Sequence, residues 1–598
     1  MAHSPSSPGA IYTQRLSDRS ASLTTLERRR RLLGWSRLAA AAIILLGIWL
    51  AIQLWMPLWF VIFPILLFIF LVLRHAKADR AAIRMRRAIH FHERGLARLE
   101  HRWQGLGEPG DRFSDPRHPY AADLDIFGRG SLFQLLSTAR TRGGEARLAS
   151  WLSGPSPIPE LQARHQAISE LRPLLDLREQ LAILGEDFRT GVNPEHLIQW
   201  AAAPARPFAK WQRLAALLLS LVAGTVLLWW FSTSFMGLEA RLALIAIAVV
   251  EGLFSSTIRD RVLPIIHGLH EPSHDLDLLA GILTELEAVS LTSPHLTAMQ
   301  ASIRPPNGEP ASARIGRLRR LQELLDSRDN IVVRMFGPLL LWGTQTAMAI
   351  EQWRTENGAF VPQWLNAVAE IEALSALAGY AYEHPEDPFP EFSDTPGISG
   401  ENLRHPLMDP ARAIPNNIAL NAPLGLYVVS GSNMSGKSTF LRTVGTNAVL
   451  ALAGAPVRAT RLCLSRLSLG ASIRTVDSLE EGISRFMAEL LRLRQILELP
   501  APAFFLLDEL LAGTNSHDRA IGASGLVRAL LARGAIGITT THDLSLARVA
   551  DELAPAAINV HFEDRLENGK LIFDYQMRPG VVQRSNALDL MRAVGLDV

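Results

Sequence analysis

The sequence predicts a multidomain fold with an α/β C-terminal part, a mainly α-helical middle and two transmembrane helical hairpins. Three observations carry this prediction. A glycine-rich loop separates a strand pattern from a helix pattern at residues 425–452, and the two patterns alternate from there onward. Between residues 120 and 384, Leu, Ile and Trp recur at helical spacing. The 48% hydrophobic content is concentrated in two runs rather than spread evenly.

The bulk numbers bound the rest. A chain of 598 residues divides into several folding units. A net charge of +2 excludes a polycation, so whole-chain charge argues neither for nor against a nucleic-acid partner. The one cysteine, Cys463, excludes an intrachain disulfide framework and a Cys-rich metal site, and reads as a small buried residue.

Taken in order, residues 1–37 read as a disordered basic tail, since Met1–Thr25 holds Ser and Pro with no apolar period. Residues 38–73 are almost free of charge. They suit a transmembrane hairpin turning at Gln53–Pro57, or one long Pro-kinked span that continues along the interface. Residues 74–119 read as a charged helix leaving the membrane, followed by a Gly/Pro/Asp linker. Residues 120–210 and 258–384 are two parts of a helical core. They flank a second apolar hairpin at 211–257, with limbs Leu214–Phe231 and Leu242–Phe254. A buried hairpin in a soluble domain is the alternative for this second region. The Arg314, Arg317, Arg319 and Arg320 cluster has no interleaved aromatic residues and reads as a solvated helix face. Residues 385–424 read as a linker into the α/β domain at 425–598. Lys and Arg flank both ends of each apolar region. That pattern predicts a multi-pass protein of the inner (cytoplasmic) membrane whose soluble parts all face the cytoplasm.

The chemistry concentrates in the C-terminal domain. Leu426–Ser430 is a buried-strand pattern running into Gly431, Ser432, Asn433, Met434, Ser435, Gly436, Lys437, Ser438 and Thr439, which fits G-x-x-x-x-G-K-[ST]; the helical pattern Phe440–Leu452 follows. Glycines let the backbone wrap so that N–H groups meet phosphates at a helix N-terminus. Lys437 is then the contact to the β- and γ-phosphates, and Ser438 a Mg²⁺ ligand. Ala503–Leu507 is an apolar strand delivering two acids at its end: Asp508 for Mg²⁺ and Glu509 as general base toward water. Ile536–Thr541 is a further strand, and it presents His542 as a γ-phosphate sensor. The site residues are therefore Glu509, His542 and Lys437 for catalysis, residues 431–439 for ATP, and Ser438 with Asp508 for Mg²⁺.

The run Ser432–Thr439 resembles the phosphate loop of the MutS family of DNA mismatch repair ATPases, in which Asn-Met-Ser-Gly-Lys-Ser-Thr is characteristic. Asp508-Glu509 with Gly513-Thr514, Ser484–Glu489, Thr541-His542, Leu403–Leu407 and Pro415–Asn417 resemble further segments of that family's ATPase, and Leu124–Leu136 resembles the opening of its helical core. The resemblance implies an ABC-type P-loop ATP hydrolase joined to a MutS core and lever, using ATP and Mg²⁺. It also implies a homodimer in which Ser484 completes the partner's nucleotide site, with Asn515 and Ser516 at the seam, and DNA as a partner. The mismatch-reading domain and the DNA-clamp insertion of the family have no counterpart here, and Phe389-Pro390-Glu391 matches the mismatch wedge by coincidence. Leu511-Ala512 stands where the family has Gly-Arg. Two functions follow as expectations: a membrane-anchored ATPase acting on DNA, or an ATP-driven membrane switch with no DNA role. A transport ATPase ranks below both.

Overall fold

The computed structural model describes residues 7–53, 58–184, 194–232, 237–268, 273–304, 308–432, 434–474, 485–511, 514–542, 544–567 and 570–582. It divides into two compact units, one of residues 1–138, 146–175 and 373–598, the other of 139–145 and 176–372. The fold is mostly helical with two mixed sheets.

The first unit holds ten strands: β1 Glu391–Phe392, β2 Gly397–Leu403, β3 Asn416–Asn421, β4 Leu426–Ser430, β5 Arg461–Leu464, β6 Ser468–Ser472, β7 Ala503–Leu507, β8 Ile536–Thr541, β9 Ala557–Glu567 and β10 Lys570–Pro579. The larger sheet has the order β10-β9-β4-β8-β7-β6, parallel except for β10. Every residue of β4, β7 and β8 is buried, as expected of parallel strands covered on both faces. The crossovers are the helices Lys437–Ala453, Arg485–Leu497, Ser516–Ala532 and Leu544–Glu552. Gly445 lets the first of these lie close. A Cβ there would stand 2.7 Å from side-chain carbons of both Leu124 and Leu506.

Residues 385–424 are not a linker. β1, β2 and β3 join β5 in a second sheet of order β1-β5-β2-β3. The alternation of buried Ile418 and Leu420 with exposed neighbours drives β3 onto the core. The Phe389–Glu391 run is structural here, because the Phe389 ring lies 4.6 Å from His165 and Glu391 pairs with Arg461 at 2.7 Å. Cys463 is only half-buried on β5.

The predicted helical core at 120–210 is split between the units. Residues 120–138 and 146–175 belong with the sheet. Asp123 explains part of this. Its buried carboxylate accepts from the N–H groups of Ile473 and Arg474, both at 2.7 Å, just beyond β6.

The predicted disordered tail is a helix. Pro8–Ile52 is continuous, with Ser7 Oγ accepting from Ala10 N and Pro8 opening the first turn. It folds back antiparallel on Ile62–Leu99, with Arg30–Asp79 at 2.9 Å and Glu27–Arg86 at 2.6 Å. The register continues inward, where a Cβ on Gly47 would stand 3.4 Å from Val61. Tyr12 anchors the outer end. It is fully buried, donates to Glu383 Oε1 at 3.1 Å, and rests over Gly95. Arg98 closes the network on Glu383 with bonds of 2.8 and 2.6 Å. This polar helix forms because its anchor lies some 370 residues away in sequence.

Among the described residues, three helices are long and apolar enough to cross a membrane: Pro8–Ile52, Lys210–Ser232 and Leu238–Ile266. The returning limb of the first hairpin is not one of them. Its helix is apolar from Ile62 to Leu73 and charged from Arg74 onward.

The second unit is helical. Lys210–Ser232 and Leu238–Gly268 form the second hairpin, while Ser273–Ala288, Ala311–Asp326 and Trp342–Asn357 pack as a bundle. Arg314 departs from the expected solvated face. It is buried and donates to Asn357 Oδ1 at 2.6 Å, while Arg317 pairs with Glu309 and Arg319 with Asp277.

Candidate functional site

The loop after β4 wraps at two glycines. Gly431 has φ +152° and Gly436 φ +107°, values that disfavour side chains. A Cβ on Gly431 would stand 2.8 Å from Ser435 Oγ and 2.9 Å from the Phe562 carbonyl; one on Gly436 would stand 3.0 Å from the Tyr575 ring. The loop leads directly into Lys437–Ala453, which aims that helix's N-terminus at the space above it. Lys437 is 5% exposed, and its Nζ donates to the carbonyls of Gly431 and Ser432, each at 2.9 Å. Burial lowers its pKa, and Glu509, Asp508 and Asp564 oppose that shift. Asn433 lies outside the described residues, as does Ser484.

Strand order brings the acids to this loop. β8 lies between β4 and β7, with Ser430 level with Thr541 and Leu507 level with Thr539. Asp508 and Glu509 therefore emerge one strand beyond His542, on the same edge as the loop. Thr540 ties the two acids together. Its hydroxyl donates to Asp508 Oδ1 and accepts from Glu509 N at 3.1 Å. Glu509 has φ +48°, and its Oε1 lies 3.5 Å from His542 Nδ1. Glu489 steadies the following turn by accepting from Leu511 N at 2.6 Å. Asn515 caps the Ser516–Ala532 helix through Asp518 N at 2.9 Å.

A cleft of about 1030 Å³ opens over the loop. Lys437, Ser438, Thr439 and Glu509 line it together with His405, Arg412, Ile414, Phe573 and Tyr575. Burial holds His405 neutral, with a pKa lowered to about 4. Tyr575 stacks on Phe573 at a 5.8 Å centroid distance and sits at the bulge where the β9–β10 register shifts. Asn416 fixes that bulge, donating to the Tyr575 carbonyl at 2.9 Å and accepting from Met577 N at 2.7 Å.

The donor set fits a polyphosphate with a hard cation. The buried hydroxyls of Ser432 and Ser435 meet no partner among the described residues, the two glycines leave no room for a side chain, and a buried ammonium faces two carboxylates. The structure thus brings Lys437, Ser438, Asp508, Glu509 and His542 to one place. Reading the sequence missed Thr540 and Phe573, and the place of Tyr575 at this cleft. A run of three threonines in a buried strand was the signal for Thr540, whereas a bulge built from a distant Asn416 leaves no local signal for Tyr575.

The glycine loop thus lies between a parallel strand and a helix, with the paired acids two strands away, across β8. Residues 427–597 match the model of MutS domain V. Three proteins named "DNA mismatch repair protein MutS" are similar to this chain. That of Lactobacillus delbrueckii subsp. bulgaricus (strain ATCC BAA-365 / Lb-18) is 30% identical over 254 residues, covering 41% of this chain and 30% of the relative. That of Natronomonas pharaonis is 33% identical over 245 residues, covering 40% and 28%. That of Lactobacillus helveticus is 27% identical over 311 residues, covering 49% and 36%. The likeness to MutS proteins is shown for this domain, and the chain spans about a third of the length of the curated relatives it matches.

Proposed function

We propose that this chain is a membrane-anchored, MutS-like ATP hydrolase that works as a homodimer and acts on DNA. The observation that carries the reading is the convergence of buried Lys437, the glycine loop and the Asp508–Glu509 pair on one cleft. Residues 431–439, including Asn433, hold the phosphates of ATP. Lys437 exchanges its two loop carbonyls for phosphate oxygens, and Ser438 with Asp508 holds Mg²⁺, which supplies charge neutralisation at the phosphates. Glu509 orients and deprotonates water, with His542 beside it. The Phe573–Tyr575 pair offers a face for a purine ring. Ser484 from one subunit completes the partner's site.

The three apolar helices and their basic flanks support anchoring in the inner membrane with the nucleotide site in the cytoplasm. The relatives' name supports DNA as the substrate. One observation favours a second reading, an ATP-driven membrane switch without DNA: an apolar hairpin lies within the helical unit itself.

The test uses the detergent-purified full chain. Lys437→Ala should lose nucleotide binding, and Glu509→Gln should bind ATP without turnover. A Glu509→Gln protein with wild-type turnover would refute the assignment of the base. Salt-titrated binding to duplex, mismatched and branched DNA separates the two readings, because phosphate contacts weaken steeply with salt. An absence of salt-sensitive binding, with or without nucleotide, selects the switch.

A further inference from the structure

Glu251 stands within the apolar Leu238–Ile266 helix, yet it is 3% exposed and its Oε1 meets no hydrogen-bond donor among the described residues. It lines a cavity of about 550 Å³, a size that suits a small-molecule site. Val262, Leu339 and Trp342 supply apolar walls, and Arg328 and Arg334 stand among the lining residues. An ionisable side chain inside a membrane helix is costly and marks a functional site. Stability alone would favour an apolar residue at this position.

The far wall is a broken segment. Ile331–Phe336 and Pro338–Leu340 are two short helical turns interrupted at Gly337. They run alongside the other apolar helix, where Ser220 Oγ donates to the Leu340 carbonyl at 2.8 Å and Phe231 lies 6.2 Å from Phe336. Ser220 and Phe231 are ~16 Å apart along that helix, so the segment follows much of its apolar length. Ile331 and Met335 are 77% and 65% exposed beside this wall. Glu251 lies eight residues before Arg259, ~12 Å along the helix, which places it just beneath the basic end.

We infer that this cavity binds a phospholipid whose headgroup carries a primary ammonium and a phosphate, the ammonium on Glu251 and the phosphate on Arg334 and Arg328. The chemistry selects this class. A purely anionic lipid satisfies the arginines but leaves the carboxylate opposed by like charge. A choline headgroup has no N–H to donate to Glu251 Oε1. The acyl chains lie along Val262, Leu339 and Trp342. The inference rests on the membrane reading proposed above.

The experiment exposes the full chain in mild detergent to equal amounts of phosphatidylethanolamine, phosphatidylcholine and phosphatidylglycerol, and counts retained lipids by native mass spectrometry. A charge-assisted hydrogen bond predicts retention of the ethanolamine lipid over the choline lipid by about tenfold or more. Glu251→Met, which keeps the side chain's length and removes the acceptor, should bring the two to parity. Arg334→Gln, at an exposed position, should weaken all three. Parity in the wild type, a preference for the glycerol lipid, a preference that survives Glu251→Met, or retention unchanged by Arg334→Gln would each overturn the site. An alkaline carbonate wash of membranes separates the two ideas. Release of the wild-type chain refutes the membrane reading and the site with it, while a retained chain showing lipid parity refutes the site alone.

Discussion

Replacing Thr540 with valine removes a single hydroxyl and keeps the volume, so the strand it occupies should survive. The loss falls on the two acids. Thr540 is fully buried, and its hydroxyl donates to Asp508 Oδ1 while accepting from Glu509 N at 3.1 Å. The bond to the carboxylate is worth ~1.5–3 kcal/mol, and leaving the Glu509 N–H unpaired costs ~1–3 kcal/mol more. Glu509 is also held at φ +48°, a conformation that costs a non-glycine residue ~1–3 kcal/mol and persists only while its surroundings impose it. Without the Thr540 bond, Glu509 relaxes toward negative φ and its carboxylate swings away from His542. A displacement of about 1 Å costs on the order of 10²-fold in rate. The expected outcome for Thr540→Val is therefore a kcat for ATP hydrolysis lower by about 10²-fold, with KM within about threefold of wild type. Thr540→Ser, which restores the hydroxyl, should recover most of the rate. The assay is steady-state turnover of the purified full chain, paired with equilibrium nucleotide binding. Wild-type kcat in the valine variant would refute the positioning role. An equal loss of binding and rate would show instead that the phosphate loop had collapsed.

Glu383→Gln should loosen the N-terminal helix, because it leaves Arg98 buried without its counter-charge at a cost of ~3–5 kcal/mol; hydrogen exchange across residues 8–30 should accelerate, and unchanged protection there would dismiss the anchor. His165→Phe should remove an acid sensitivity. Burial lowers the His165 pKa to about 4 from 6.5, so between those values the unfolded chain binds more protons and stability falls as pH falls, by ~1–2 kcal/mol at pH 5. Opening free energies of the Ile158–Leu171 helix, taken from hydrogen exchange at pH 8 and pH 5, should converge in the variant; an undiminished pH dependence would count against His165 as its source. Gly436→Val should weaken fluorescent-nucleotide binding at least tenfold, since Cβ meets the Tyr575 ring at 3.0 Å and φ is +107°. Unimpaired titration would show that the loop tolerates a side chain there.

The parts of the site legible in the sequence are those whose determinants are local. The β4–loop–helix run occupies consecutive residues, and its glycines announce the backbone that Gly431 and Gly436 adopt. Asp508 and Glu509 end an apolar stretch that only a buried parallel strand accommodates. The helical character of the Arg314–Arg320 stretch was legible too, because Pro310 precedes the Ala311–Asp326 helix and apolar spacing sustains it. The N-terminal helix was not legible. It is polar on most faces, and its stability comes from Tyr12 reaching Glu383 and from ion pairs with a helix some 50 residues away. β1, β2 and β3 escaped notice for the same reason. β1 and β2 pair with β5, whose partner residues lie tens of positions downstream, and β3 joins the sheet only through β2.

That division bears on how the site works. The residues that touch phosphate in the proposed function are local in sequence, and they are the ones a motif reveals. The residues that hold them in register are distant: Thr540 for the acids, Asn416 for Tyr575, and Glu489 for the turn at Leu511. Each acts through a hydrogen bond of 2.6–3.1 Å to a main-chain atom, which fixes backbone position without depending on the chemistry of the side chain it steadies. Two of the backbone positions steadied, Glu509 and Leu511, are non-glycine residues at positive φ, and Tyr575 is a third. Backbone held against its preference at Glu509 and Tyr575, which both line the cleft, is what distinguishes a prepared site from an incidental glycine turn bearing a lysine. It also explains why a change at Thr540 should register in rate before it registers in binding.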